Sequence, residues 1–201
     1  MIELRASEIA SIVGGQLHGE DVLVTSAPVI SSSEATKGSL FCAFIGDTVD
    51  GHTFVEDALS RGAVASLVTT SVVGPHIVVQ DVTRALAELA QEVRTRLAHL
   101  KVVAITGSQG KTTTKELTQA ILATHFTVVA PRGNFNNEIG VPLTLLQCDT
   151  GTDICVVEMG ARHVGDISHL VSIARPNIGA VLKVANAHVG EFGSIEKIAL
   201  A

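Results

Sequence analysis

The chain has 201 residues, 46% of them hydrophobic, and a net charge of −6, which allows one large or two small globular domains with a real core. Trp and Tyr are absent and Phe occurs only 6 times, so stacking platforms for single-stranded nucleic acid are excluded, and the acidic balance argues against nucleic-acid and anionic-membrane surfaces. No run of about 18 apolar residues offers a spanning helix, and the charges in Met1-Ile2-Glu3-Leu4-Arg5 leave no apolar core for a signal peptide, so a cytoplasmic protein is expected.

In chain order, residues 7–13 read as a short helix with Ser7 as N-cap and Gly14-Gly15 as its stop. Gln16 to Thr25 alternates weakly around Gly19, which predicts a small hairpin. Val29-Ile30 is a short strand running into Ser31-Ser32-Ser33, and Leu40 to Phe44 is another. Thr53 to Arg61 predicts a helix with Phe54, Ala58 and Leu59 on its apolar face and Gly62 behind it. Val64–Val68 and Ile77–Val79 complete a small α/β domain over 1–82. Asp81 or Thr83 then caps a long helix, with Leu86, Leu89, Ala90, Val93 and Leu97 at helical spacing, which connects to a second unit across 83–100. From 101 onward, apolar strands at 102–106, 127–129, 154–159 and 178–184 alternate with helices at about 111–123, 139–146, 165–174 and from 194. Continuous apolar strands interleaved with helices predict a mostly parallel sheet covered on both faces. The fold class expected is therefore α/β, a small first domain followed by a parallel-sheet domain. Cys42, Cys148 and Cys155 lack metal-ligand spacing and read as buried free thiols.

The stretch Thr106-Gly107-Ser108-Gln109-Gly110-Lys111-Thr112-Thr113 is a strand, a glycine turn and a helix start. Such a turn aims unpaired backbone N–H groups at an anion, Lys111 adds a positive charge, and Thr112 adds a hydroxyl suited to Mg²⁺. It is a shortened phosphate loop, G-x-x-G-K-T, because Ile105 occupies the place of the first glycine in the longer template. Ligands of parallel sheets sit beyond the carboxyl ends of the strands. Glu158 stands at such an end, closing the apolar Val156-Val157, where a metal ion would offset the cost of an isolated carboxylate; the alternative is an acid facing water or capping the next loop. Asn134, Asn136 and Asn137 crowd one loop. Their amides could grip a diphosphate or a sugar, or form a turn and cap the helix near 139. His188, in Asn186-Ala187-His188-Val189-Gly190, is by itself as well read as a surface residue.

Taken together, these motifs resemble the Mur ligases. The residues that carry the resemblance are 106–116, then Gly133-Asn134-Phe135-Asn136-Asn137-Glu138-Ile139-Gly140-Val141-Pro142 through Leu146, then Val157 to His163, and Ala187 to Ser194. The Asn-Phe-Asn-Asn and Glu-Met-Gly-Ala stretches favour the branch that adds D-alanyl-D-alanine to UDP-N-acetylmuramoyl-tripeptide. The resemblance implies ATP-driven amide formation through an acyl phosphate, in peptidoglycan precursor synthesis, with ATP and Mg²⁺ as cofactors and a monomeric enzyme. It implies that Gly107, Ser108, Gln109, Gly110, Lys111, Thr112 and Thr113 hold ATP phosphates and that Thr112, Glu158 and His188 bind Mg²⁺, with Lys111 and His188 in the catalytic set. It further implies that Asn134, Asn136, Asn137, Ser31 and Ser33 contact the UDP-sugar substrate.

Two departures from the family pattern stand out. The family's Asp-Ser/Thr-Arg is replaced by Ser31-Ser32-Ser33, ahead of Lys37-Gly38-Ser39-Leu40-Phe41. Family members also continue into a C-terminal ligase domain and carry a carbamylated lysine whose register falls just past Ala201. The chain is thus expected to be an N-terminal portion, with 101–201 an incomplete ATP-binding domain that does not turn over alone. A nucleotide or UDP-sugar binding module, or a related ligase adding another amino acid, are the alternative readings.

Overall fold

The computed structural model describes residues 1–131, 133 and 135–184. The helix expected from 194 lies outside the described residues. Two compact units divide the chain, Met1–Val93 and Arg94–Ala201.

The first unit is built on a four-stranded sheet in the order β2-β6-β5-β4, with β2 Gln16–His18, β4 Leu40–Cys42, β5 Ala65–Val68 and β6 His76–Val78. The two pairings among β4, β5 and β6 are parallel, and β2 joins antiparallel at the edge. β4 and β5 are buried along their whole length, as strands covered on both faces must be. α2, Val55–Ser60, packs Val55 and Ala58 against Phe41, Ala43 and Val68. The expected apolar face is rotated slightly: Phe54 belongs to a 3-10 turn, Gly51–Phe54, and is exposed, while Val55 is buried.

The predicted hairpin over 16–25 does not form. β2 pairs with β6, whereas β3, Leu23–Val24, pairs with β1, Leu4–Arg5. Asp21 explains the divergence. Its carboxylate accepts from the Ser7 backbone N–H at 2.8 Å and from Ser7 Oγ at 2.9 Å, drawing 21–24 to the start of α1, Ala6–Ile12. Those two donors hold the Asp21 carboxyl below its ordinary range. Ser7 is therefore not an N-cap; Arg5 occupies that position with no side-chain cap. Val29 reaches Phe41 only through an isolated bridge, so Val29-Ile30 is not a full strand.

α3, Val82–Arg96, opens as expected on Asp81, whose carboxylate accepts from the Arg84 N–H at 3.0 Å. Its predicted stripe of Leu86, Leu89, Ala90 and Val93 is buried.

Among the described residues, the second unit forms a parallel sheet in the order β10-β7-β9-β8. The strands are β7 Lys101–Thr106, β8 Val128–Val129, β9 Ile154–Glu158 and β10 Ile178–Val181, and the helices α4 Lys111–Leu122, α5 Gly140–Leu145 and α6 Asp166–Ala174. On one face Val103, Ile105, Ile154 and Val156 pack with Leu122 of α4 and Val128. β9 is buried at all five positions. β10 is shorter than the predicted 178–184, and two of its apolar side chains lie open, Ile178 at 59% and Val181 at 71% exposure. No helix among the described residues is long and apolar enough to cross a membrane. The three thiols are buried and free, and burial pushes Cys42 up to about 12.

Two measurements test this arrangement. Backbone amides of β10 should exchange with solvent well before those of β7, because among the described residues no strand pairs with one flank of β10 and its side chains add little burial; equal protection would contradict the edge position. Ser66 Oγ is buried in β5 without a hydrogen-bond partner. Ser66→Ala should therefore raise unfolding stability, by about 1 kcal/mol in chemical denaturation, since an unsatisfied hydroxyl is removed with little change of volume.

Candidate functional site

The site forms where β7 and β9 run side by side, with Ile105 opposite Glu158. Both strands end at the same sheet edge, and Thr106 Oγ1 ties the ends together by donating to the Met159 carbonyl at 2.9 Å. Beyond β7 the chain turns through Gly107 and Gly110, with φ of 136° and 84°, conformations that side chains with a Cβ rarely adopt. Gly110 serves as N-cap of α4 without any side-chain cap. The first i→i−4 bond of α4 is donated by Thr114 to the Gly110 carbonyl at 2.9 Å, so the N–H groups of Lys111, Thr112 and Thr113 stand at an open helix start. One amide of the loop is already used: Ser108 N–H donates to the Lys183 carbonyl at 2.8 Å, and Gln109 bridges to Lys183. Lys111 Nζ folds back onto the Gly107 carbonyl at 2.9 Å, which places its charge over the loop.

Glu158 is the centre of the arrangement, with 2% exposure. Oε2 accepts from Thr112 Oγ1 at 3.0 Å, and Oε1 accepts from Asn136 Nδ2 at 3.0 Å. Both partners are neutral, so neither brings a positive charge to the carboxylate. A buried carboxylate beside a hydroxyl is a hard-oxygen donor set, which suits Mg²⁺ better than a softer metal. Among the described residues no cluster of three or more His, Cys, Asp and Glu forms a metal site, and the set here is one carboxylate plus one hydroxyl.

Asn136 reaches Glu158 because its loop is clamped against the start of the next one. The Gly160 N–H donates to the Asn136 carbonyl at 2.8 Å, and a Cβ on Gly160 would come within 3.0 Å of the Asn136 amide. Asn137 turns the other way: its Oδ1 accepts from the Gly140 N–H at 2.9 Å and from Ile139 N–H at 3.3 Å, so that oxygen caps α5. In the following loop, burial pushes the Asp166 carboxyl up, but the backbone N–H groups of Arg162 and His163, each at 2.8 Å, outweigh it and hold the group below its usual range.

The structure thus brings together Lys111, Thr112, Asn136 and Glu158 from the residues singled out in the sequence. Asn134 and His188 lie outside the described residues. Ser31 and Ser33 belong to the first unit, where their hydroxyls hydrogen-bond to each other at 2.8 Å. Two features went unread in the sequence. The Lys183 backbone contact leaves no trace in residue type. Lys115, with 2% exposure, donates from Nζ to the Pro131 and Gly133 carbonyls at 3.0 and 3.1 Å; its only sequence signal is a lysine one helical turn after Lys111.

Residues 29–104 match the model of the Mur ligase family, catalytic domain, and residues 105–201 match the Mur ligase middle domain. The chain belongs to the Mur ligase family. Among its curated Mur ligase relatives is the UDP-N-acetylmuramoyl-tripeptide--D-alanyl-D-alanine ligase of Mycobacterium tuberculosis, 41% identical across 99% of the chain and 45% of that protein. The Escherichia coli K12 ligase of the same name is 39% identical across 100% of the chain and 44% of its own length. The chain therefore spans under half the length of these relatives. Of solved structures, MurF from Acinetobacter baumannii superposes with a TM-score of 0.88 at 32% identity, over 98% of the chain and 44% of that one. The MurF ligase from Thermotoga maritima, in complex with ADP, superposes with a TM-score of 0.76 at 38% identity, over 88% and 42%.

The packing between the two loops can be tested by one substitution. A Cβ on Gly140 would lie 2.4 Å from the Phe135 carbonyl carbon and 2.6 Å from its Cα. Gly140→Ala should cost roughly 2–4 kcal/mol in denaturant unfolding, because backbone must move to admit the methyl group. A loss under about 0.5 kcal/mol would show that the 135–140 turn is slack.

Proposed function

We propose that this chain is the nucleotide- and UDP-substrate-binding portion of an ATP-dependent amide ligase that adds D-alanyl-D-alanine to UDP-N-acetylmuramoyl-tripeptide in peptidoglycan precursor synthesis. The observation that carries the reading is the join of a glycine loop at a helix start to a buried acid on the adjacent strand, through Thr112 and Glu158.

In this reading the loop 107–113 receives the ATP phosphates. The open N–H groups at the start of α4 and the Lys111 ammonium offer positive charge on the side where negative charge accumulates as the γ-phosphoryl group moves. Lys111 exchanges its contact with the Gly107 carbonyl for a phosphate oxygen. Thr112 and Glu158 would hold Mg²⁺, which when bound supplies further positive charge against the phosphates. Asn136 keeps the Glu158 carboxylate aimed at Thr112 by occupying its other oxygen. The substrate carboxylate attacks the γ-phosphorus with loss of ADP, giving an acyl phosphate, and the amine of the dipeptide then displaces phosphate. His188 completes the metal and catalytic set; Asn134 meets the sugar end of the substrate, as do Asn136 and Asn137 through amide atoms that Glu158 and the α5 cap do not engage. Residues 1–82 bind the uridine end, with Ser31 and Ser33 in place of the family's acidic and basic side chains; 83–100 connect, and 101–201 form the ATP-binding domain. A cytoplasmic, monomeric enzyme fits a nucleotide-linked substrate and ATP. The names of the relatives, and ADP in the Thermotoga maritima structure, support this reading.

Calorimetry with ADP is the direct test. Lys111→Ala should weaken binding by roughly 10- to 100-fold, the loss of a charge-assisted contact to phosphate. Unchanged affinity would reject the phosphate-loop assignment. Supplied with ATP, UDP-N-acetylmuramoyl-tripeptide and D-alanyl-D-alanine, the 201-residue chain should release no phosphate above background; steady turnover would show that it holds the whole catalytic apparatus.

A further inference from the structure

Lys115 is a lysine buried to 2% exposure in the second turn of α4, and the proposed chemistry does not use it. A buried ammonium is stable only where its N–H groups find acceptors, because its hydration is lost. Lys115 finds two backbone carbonyls, Pro131 and Gly133, both in the segment that leads to Asn136. It also borders a cavity of about 500 Å³ lined by Glu116, Gln119, Val129 and Gln147 among others, and no residue of the 107–112 loop lines that cavity. Lys115 is therefore placed to hold the segment rather than to touch phosphate.

The contacts close a ring. From Lys115 the path runs to the Pro131 and Gly133 carbonyls, along the chain to Asn136, across to Glu158 Oε1, and from Oε2 to Thr112 on α4 again. Thr112 and Lys115 are three residues apart on one helix, so they share a side of it. We propose that Lys115 is a positioning residue: it holds Pro131 and Gly133 against α4 so that Asn136, a few residues on, holds the Glu158 carboxylate on Thr112. This rests on the reading of Thr112 and Glu158 as the Mg²⁺-nucleotide site. Moving Pro131 or Gly133 away from α4 takes an acceptor from a buried lysine.

Lys115→Met keeps the side-chain length and removes charge and donors. Two readouts follow, one without nucleotide and one with it. In the ligand-free chain the Gly160 amide, which donates to the Asn136 carbonyl, should exchange about tenfold faster in Lys115→Met, with the β7 amides unchanged. In calorimetry, the ratio of ADP affinity with Mg²⁺ to that without should fall about tenfold. Asn136→Ala should lower that ratio by a similar factor, and the double variant should lower it no further, as expected for two residues on one path. A residue that merely supports the fold would shift overall stability and leave the ratio alone. Unchanged Gly160 exchange, or an unchanged ratio in a folded variant, overturns the proposal. If the parent chain binds no ADP at all, the nucleotide reading fails and Gly160 exchange alone decides the positioning role. Should Lys115→Met fail to fold, Lys115→Gln, which keeps an amide donor, is measured instead; failure of both to fold makes Lys115 a general core residue and also overturns the proposal.

Discussion

The second unit is arranged around one electrostatic demand, the carboxylate of Glu158 in the interior. An acid at the end of a fully buried strand must be offered donors or a cation, because the sheet gives it neither water nor a free backbone N–H. Here Thr112 and Asn136 take one oxygen each. Meeting that demand couples three pieces of chain distant in sequence: the start of α4, the asparagine loop and the end of β9. The parallel pairing of β7 with β9 makes the coupling possible, because it delivers the glycine loop and the acid to the same edge.

Much of this was open to reading in the sequence, and for identifiable reasons. Glycine at 107 and 110 with lysine and threonine following is a local pattern, and local backbone rules convert it into a turn and a helix start. The apolar strands at 102–106 and 154–158 are continuous, so their burial and parallel pairing follow from composition. Glu158 drew attention because it breaks such a run. The Asp81 cap and the stripe along α3 were equally local signals.

What escaped the sequence depends on contacts between remote residues. Weak alternation over 16–25 looked like a hairpin, but Asp21 found two donors on Ser7, and that pair of hydrogen bonds outranks a turn with no strong turn residue pair. The asparagines presented the same difficulty in miniature. Adjacent residues of one type face opposite duties, Asn136 toward an acid and Asn137 toward a helix terminus, and only the path of the backbone separates them. Lys115 would pass in sequence for a solvated helix residue, yet it is buried and donates to the Pro131 and Gly133 carbonyls.

The bond from Ser108 N–H to the Lys183 carbonyl has a wider meaning. Lys183 follows β10, the least buried strand of the sheet, while Ser108 sits in the glycine loop after β7. The loop and the sheet margin are mechanically joined at that point. The position of the Ser108 amide is therefore set in part by a residue that follows β10. One part of the loop is thus pinned to the chain beyond β10, and its other end to the start of α4.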